Sequence, residues 1–530
     1  MKFKELTPED IEYLTFVYHE DMKHKEKMEI LTKKFSVTGR AIRKWWKEKL
    51  NLSEKLSTLP PQLVEAQNRE IKESTNLILV TAAQNKTGIN DKFLSNLKVY
   101  KSFLEEKHGR KVEIVIAPQR YRNPTNPTED KLRKAALWWV DEIIPYLHYG
   151  KIQFGDVKIS TDSRIRPTAK EPLTNYEVLA KDNSLVLPHS KIHFKTLPRF
   201  KNGPLRTMCT TGYITNKNYS DSKAGETAWE HHAYGFVVVE KKKDGTCHIP
   251  RNVKVKSDGS FIDLIFSVDK EVSIINECDG LIMGDIHASE VNEVILSKTW
   301  DLMSKIKPKH TVLHDLFDGS TVNPHEIKDM YIQKKKIKEN KFLIDEEIKH
   351  SFDIVRTILP HTDNVHVSLS NHDVFLDRLI NDGNWKRDLH NSHNYLKYAL
   401  IQQTKNVEEF GTIYGYLLNE EFEGEVNYLN YDDSLKIQGY ECALHGDNGT
   451  NGSRGSYKQF SRLNTKMIHA HQHNPVMHNN VTCVGVTCNI KQYYTRKGLS
   501  SWAYAHSIVH YNGKNQLLVF GDDFMISGLI

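Results

Sequence analysis

Five segments in the last 250 residues are built the same way, a short apolar run that stops abruptly at residue types able to bind a metal. Leu281-Ile282-Met283 leads into Gly284-Asp285-Ile286-His287, Thr311-Val312-Leu313 into His314-Asp315-Leu316-Phe317-Asp318, and Val365 to Leu369 into Ser370-Asn371-His372-Asp373. Cys442-Ala443-Leu444 precedes His445-Gly446-Asp447, and Met467-Ile468 precedes His469-Ala470-His471-Gln472-His473. Each apolar run reads as a buried strand emptying into a loop. At a strand end, residues two apart project to the same side, so Asp285 with His287, and His471 with His473, can converge on one point. Carboxylate, imidazole and amide oxygen without thiolate suit divalent Mn, Fe or Zn better than a cysteine-bound structural zinc. A two-metal site would account for the number of donors, and 17 of the 26 histidines lie between His287 and His510.

In this order and spacing the segments resemble the calcineurin-like metallophosphoesterase superfamily, whose pattern runs D-x-H, G-D-x-x-D, G-N-H-[DE], H and G-H-x-H. The resemblance covers Cys278 to Phe520. It implies a first metal held by Asp285, His287 and His473, a bridging Asp315, and a second metal held by Asn371, His445 and His471. The implied cofactors are two divalent ions, Mn by preference, with Mg, Fe or Zn as alternatives. Two carboxylates against two dications leave a net charge of about +2, which attracts a phosphodiester and lowers the pKa of a water between the ions. His372 would serve as general acid for the leaving oxygen or stabilise transition-state charge, and Asp318 and Asp373 would orient histidines. Three glycines of the pattern are replaced here, by His314, Ser370 and Ala470. His469-Ala470-His471 is a second H-x-H in the same run, and the following Asn474-Pro475 favours His471 and His473 as the ligand pair. His325 reads as a solvent-exposed histidine near the site.

These loops need a large scaffold. The chain has 530 residues with 39% hydrophobic and 10% aromatic content, which predicts about two to four folded units and excludes disordered and collagen-like classes. Six cysteines without a C-x-x-C pair argue against disulfide or thiolate-zinc scaffolds. No run approaches the roughly 20 apolar residues of a membrane span, and the charged start Met1 to Asp10 has no signal-peptide core, so a cytoplasmic protein without membrane contact is expected.

Thr7-Pro8-Glu9-Asp10 reads as the start of a helix running to about Asp21, followed by a helix from Lys25 to Lys34, a turn at Phe35-Ser36-Val37 and a helix from Thr38 to Leu50. The last two elements resemble a helix-turn-helix. Lys33, Lys34, Arg40, Arg43, Lys44, Lys47 and Lys49 against Glu48 concentrate six net positive charges, the whole chain's excess, in one short segment. Arg40, Arg43, Lys44 and Lys47 are the candidate nucleic-acid contacts. The expected plan is a helix-turn-helix unit (1–52), a linker (53–75), an α/β domain of unknown role (76–275) and a catalytic domain (276–530). In fold class this is a multidomain α/β protein, whose last part the resemblance makes a β-sandwich flanked by helices. In the middle domain Leu77 to Val80, Val112 to Ile116 and Phe236 to Val239 read as strands, and Lys131 to Leu147 as a helix. Arg120-Tyr121-Arg122-Asn123 could touch a nucleic-acid strand but reads first as an exposed loop pinned by Tyr121. His231-His232 reads as structural.

The superfamily contains phosphatases, small-molecule phosphodiesterases and SbcD-like DNA-repair exonucleases, so the motifs imply a reaction class and the accompanying units must choose the substrate. A basic helical unit on the same chain favours double-stranded DNA. The domain plan is also similar to large phage metallophosphoesterases, including pre-early nucleases with which Tequintavirus-type coliphages degrade host DNA. The expected activity is therefore metal-dependent DNA hydrolysis. The alternatives are a small-molecule phosphodiesterase or phosphatase whose N-terminal helices assemble a homo-oligomer, and a DNA-binding regulator with an inert fold. The lysines Lys334, Lys335, Lys336 and Lys338 would line a DNA path, pack in an oligomer, or simply face solvent.

Overall fold

The computed structural model describes residues 7–19, 22, 24–42, 61–121, 138–200, 202–463, 465–492 and 498–530. The first helix, Pro8–His19, begins where Thr7 and Asp10 cap each other: Asp10 N donates to Thr7 Oγ1 at 3.2 Å, and Thr7 N donates to the Asp10 carboxylate at 3.1 Å. Helix His24–Phe35 ends in a turn with Ser36 at φ 49°, and helical backbone resumes at 39–42. Leu14, Val17, Met28, Leu31, Phe35 and Ile42 close a small core of their own. Arg40 is exposed, while Arg43, Lys44 and Lys47 lie outside the described residues.

The linker expectation fails at its C-terminal end. Helix Pro61–Asn68 buries Leu63 and Ala66 in the main core, and Tyr149 N donates to Ala66 O, so this segment docks as part of the folded body. Next comes a four-stranded sheet in the order Val112–Gln119, Leu77–Gln84, Gly235–Glu240, Arg251–Lys254. Its first two strands are parallel and joined by helix Asp91–His108, a βαβ unit whose strands are buried almost throughout, as expected of a sheet covered on both faces. The helix expected over Lys131 to Leu147 is not an α-helix where it is described. Asp141–Tyr146 forms 3₁₀ turns, because Pro145 has no N–H to donate and its ring crowds the preceding turn.

Two further sheets carry the metal-ligand motifs. A six-stranded sheet runs Val426–Leu429, Asn364–Ser368, Pro308–Leu313, Cys278–Ile282, Ala505–Val509, Asn515–Val519. Its first four strands are mutually parallel and its last two antiparallel. Helices Glu293–Ile306 and Ile344–Ile358 pack on one face, through Ile295, Leu296, Met303, Ile348, Phe352 and Val355. On the other face Ile282, Val312 and Val509 meet Ile437, Tyr440, Cys442, Ile468 and Val484 of the ten-stranded sheet region, so two sheets enclose a common apolar layer.

That ten-stranded sheet crosses the division drawn at 275/276. Strand His193–Thr196 of the middle segment pairs antiparallel with Val476–His478, and Arg199 and Ser500 exchange backbone hydrogen bonds. Residues 76–275 and 276–530 are therefore joined by continuous backbone pairing. All six cysteines are free and buried. Among the described residues no helix is long and apolar enough to cross a membrane.

Candidate metal centre

Parallel strands deliver their C-terminal ends to one edge of a sheet, and the strands Cys278–Ile282, Pro308–Leu313 and Asn364–Ser368 place the first three motif loops side by side there. Backbone hydrogen bonds then lock the loops together: Ile286 N donates to His314 O at 3.0 Å, His287 N to Asp315 O at 2.7 Å, and Asp285 N to Gly485 O at 3.0 Å. The Asp285 loop can approach Gly485 because neither Gly284 nor Gly485 has a side chain; a Cβ on Gly284 would lie 2.7 Å from the Gly485 carbonyl carbon. From the second sheet, Ala470 N donates to His445 O at 2.8 Å and joins the fourth and fifth motifs.

The sequence motifs converge. Asp285, His287, Asp315 and His473 form one group that could hold a metal ion, and Asp315, His445 and His471 form a second, the donor atoms within each lying within 4.8 Å of one another. Asp315 belongs to both. Asp285 and His287 are fully buried, and Asp315, His445 and His473 nearly so. Asn371, assigned by resemblance to the second group, lines the same cavity as Asp315 and His471, and its buried Oδ1 has no hydrogen-bond partner. His287, Asp315, His471 and His473 hold left-handed backbone, with φ of 46°, 45°, 69° and 59°. None is glycine, so each conformation costs roughly 1–3 kcal/mol, the kind of strain that surrounding structure sustains at functional sites.

Asp318 is hydrogen-bonded to two histidines of the site. Its carboxylate accepts from His287 Nδ1 at 2.9 Å and from Ser289 Oγ at 2.5 Å, and its carbonyl accepts from His372 Nδ1 at 2.5 Å. His287 Nε2 is thereby left to face Asp315 at 3.5 Å and His473 Nε2 at 3.3 Å. Asp373 behaves differently from expectation: it accepts from Ser370 N at 3.0 Å and from the Tyr428 hydroxyl at 2.9 Å, bracing the loop rather than a histidine. The geometric reason is that Asp373 starts helix Val374–Asp382 and turns back on its own loop.

The electrostatics demand positive charge at this point. Burial opposes ionisation of Asp315, but the fields of His445, His372 and His287 hold it well below the carboxylate range. In return, burial is outweighed at His287 and His445, which the carboxylates, Asp315 foremost, push up to about 9 and about 10. His471 is pushed down to about 3 by burial and by His445, which keeps it a neutral donor. Asp315 and His445 face each other at 3.2 Å, out of line for a hydrogen bond, and both oxygens of Asp315 and both nitrogens of His445 are buried without hydrogen-bond partners. A ring of unpartnered buried donors around two carboxylates fits a divalent cation, which supplies the compensating charge and takes up the free lone pairs.

The centre opens into a cavity of about 860 Å³ lined by His372, His325, Phe375, Arg454, Tyr457, Gln472 and Trp502 among others. The Trp502 ring lies edge-on to His473, with centroids 4.1 Å apart. Sequence reading missed Arg454, Tyr457 and Trp502, which have no motif spacing, and it missed Glu347. That buried carboxylate accepts from Ser320 N, Thr321 N and Thr321 Oγ1 and reaches Ser289 at 3.3 Å, so it supports Asp318 from behind. His314 and His469, two of the histidines near the replaced glycines, are buried and pushed down to about 3 and about 4 by burial; they pack behind the centre. Lys336 does not line a DNA path, since it is buried, donates to Ser320 O and pairs with Glu326 at 2.8 Å.

Fold and centre together define a multidomain mixed α/β protein with buried His/Asp groups that could hold metal ions. Over 471 residues the chain is 27% identical to Protein A1 of Escherichia phage T5, a match covering 85% of this chain and 83% of that protein. No family model matches the chain. No solved structure matches it.

Proposed function

We propose that this is a phage-encoded, metal-dependent deoxyribonuclease of the metallophosphoesterase type, hydrolysing DNA phosphodiester bonds. The observation that carries the reading is the sharing of Asp315 between two groups of buried donors at the floor of one cavity, with His372 on its wall. Asp285, His287, Asp315 and His473 would hold one divalent ion, and Asp315, Asn371, His445 and His471 a second. Such ions supply Lewis acidity toward a phosphoryl oxygen and lower the pKa of water.

The chain's own residues divide the remaining work. The hydrogen bond from Nδ1 to Asp318 O fixes the His372 ring, so its proton for the leaving oxygen would come from Nε2. Asp318 holds the tautomer of His287, and Glu347 and Ser289 hold Asp318. Arg454 offers a cation to a neighbouring phosphate, and Trp502 and Tyr457 offer ring faces to bases. The similarity to a phage protein over most of the chain supports the phage origin. The exposed Arg40, with Arg43, Lys44 and Lys47, supports double-stranded DNA as the partner.

The test is digestion of linear and closed-circular duplex DNA with Mn by wild type, His372→Ala and Asp315→Asn, with metal content measured in parallel. We expect cleavage by wild type and a loss of about 10²-fold or more in His372→Ala with its metal retained. Asp315→Asn should lose metal and activity together. Intact DNA alongside rapid hydrolysis of bis(4-nitrophenyl) phosphate would replace the nuclease by a small-molecule phosphodiesterase.

A further inference from the structure

We infer that the central α/β unit carries a second phosphate-recognition site, a cavity formed by Arg120, Arg164 and Arg166, and that it grips the backbone of a polynucleotide away from the metal centre. The cavity, about 200 Å³, is lined by Pro118, Gln119, Arg120, Tyr149 and residues 162–166. It sits at the C-terminal end of strand Val112–Gln119, the edge of a parallel βαβ pair where open α/β sheets bind ligands.

Among the described residues the arginines there are not ion-paired. Arg69, Arg110, Arg199, Arg206, Arg251 and Arg356 each form an ion pair. By contrast, no carboxylate of the described residues lies within 4.0 Å of the guanidinium of Arg120, Arg164 or Arg166. Arg120 Nε is buried without a hydrogen-bond partner, and its guanidinium lies 5.9 Å from the Tyr149 ring centroid. Asp162, the one acid in the lining, accepts from Ser160 Oγ at 2.9 Å. Three cations against one acid, with room for a phosphate and planar donors to meet it, describe an anion site.

The site is also built rather than fortuitous. Gln119 Nε2 donates to Ser163 O, tying the strand end to the arginine loop. Behind that loop the buried side chains of His189, Ser190 and His231 bond the carbonyls of Arg166 and Pro167. Burial pushes His189 down to about 3 and His231 down to about 4, so these rings add no charge and act as struts. Tyr121 is pinned as well, its N donating to Asn85 Oδ1 and its hydroxyl bonding Ser220 Oγ. In the ten-stranded sheet, strand Val157–Ser160, which feeds the arginine loop, is six strands from Met467–His469, which feeds the metal centre. The two strands run in opposite directions, so the arginine loop and the loop of the fifth motif leave opposite edges of that sheet.

The choice of a polynucleotide over a free phosphate rests on the nuclease reading; the anion site itself does not. Binding of a 30-base-pair duplex would be measured in chelator over a salt series, for wild type, for Arg120→Glu/Arg164→Glu/Arg166→Glu, and for Arg164→Glu/Arg166→Glu. The last pair alters only exposed side chains and guards against misfolding. The expected result is at least tenfold weaker binding by the triple variant, a smaller loss by the double, a log-log salt slope shallower by about 2 to 3, and unchanged hydrolysis of bis(4-nitrophenyl) phosphate. Unchanged affinity and slope in both variants would overturn the site. Displacement of duplex by inorganic phosphate or a mononucleotide at equal concentration would overturn the polynucleotide and leave a small-phosphate pocket. If wild type cuts no DNA yet the arginine variants lose binding, this site stands and the nuclease reading falls.

Discussion

At the scale of single residues, two aspartates that look interchangeable in the sequence have separate tasks. Asp318 holds the Nδ1 proton of His287 and so presents Nε2 to the centre. Asp318→Asn should therefore lower hydrolysis about 10- to 100-fold and weaken metal affinity comparably, with the melting temperature nearly unchanged. Asp373 only accepts hydrogen bonds from Ser370 N and Tyr428, and an asparagine oxygen can accept both. Asp373→Asn should then cost less than threefold in rate. Steady-state kinetics with metal titration on the two variants checks the contrast, and equal losses would return Asp373 to a histidine-orienting role.

At the scale of elements, the centre depends on how the Cys278–Ile282 and Ala505–Val509 strands are fastened. His506, fully buried, accepts from Gly284 N through Nδ1 at 3.0 Å and meets Thr299 Oγ1 through Nε2 at 2.8 Å, linking both strands to helix Glu293–Ile306. Burial pushes it down to about 4. Because its folded pKa lies below the unfolded value near 6.5, the folded state binds fewer protons between those pH values. The stability tied to neutral His506 is then complete above about pH 6.5 and lost as pH falls toward 4, an effect of roughly 3 kcal/mol. His506→Gln should destabilise at pH 8 by breaking these bonds, yet show a shallower fall between pH 6.5 and 4 in urea denaturation than wild type. An identical slope would mean another group titrates.

At the scale of the whole molecule, the pairing of His193–Thr196 with Val476–His478 makes the C-terminal half dependent on the middle segment. Residues 276–530 expressed alone would expose that sheet edge and the apolar surface under it, and should aggregate; co-expression with 61–275 should restore a monodisperse complex by size exclusion. A soluble, metal-binding 276–530 fragment would show that the junction is dispensable. The same continuity joins the strand that feeds the arginine loop and the strand that feeds the fifth motif in one ten-stranded sheet, at opposite edges of it.

The sequence by itself determined the donor residues and much of the local structure. Asp285, His287, Asp315, His445, His471 and His473 could be named because a strand ending in a polar loop is a local pattern, and the Thr7 cap and the Leu77 and Val112 strands were legible for the same reason. Tertiary structure alone decided that Asp373 braces its own loop, that 61–68 is docked and that the middle and C-terminal segments build one sheet. Arg454, Trp502, Glu347, Arg164 and Arg166 carry no periodic signal and meet their partners only through the fold. The physical reason is range: hydrophobic period, caps and turns act over a few residues and leave their mark in the sequence. Sheet order and the meeting of distant loops depend instead on non-local packing, which no single segment encodes.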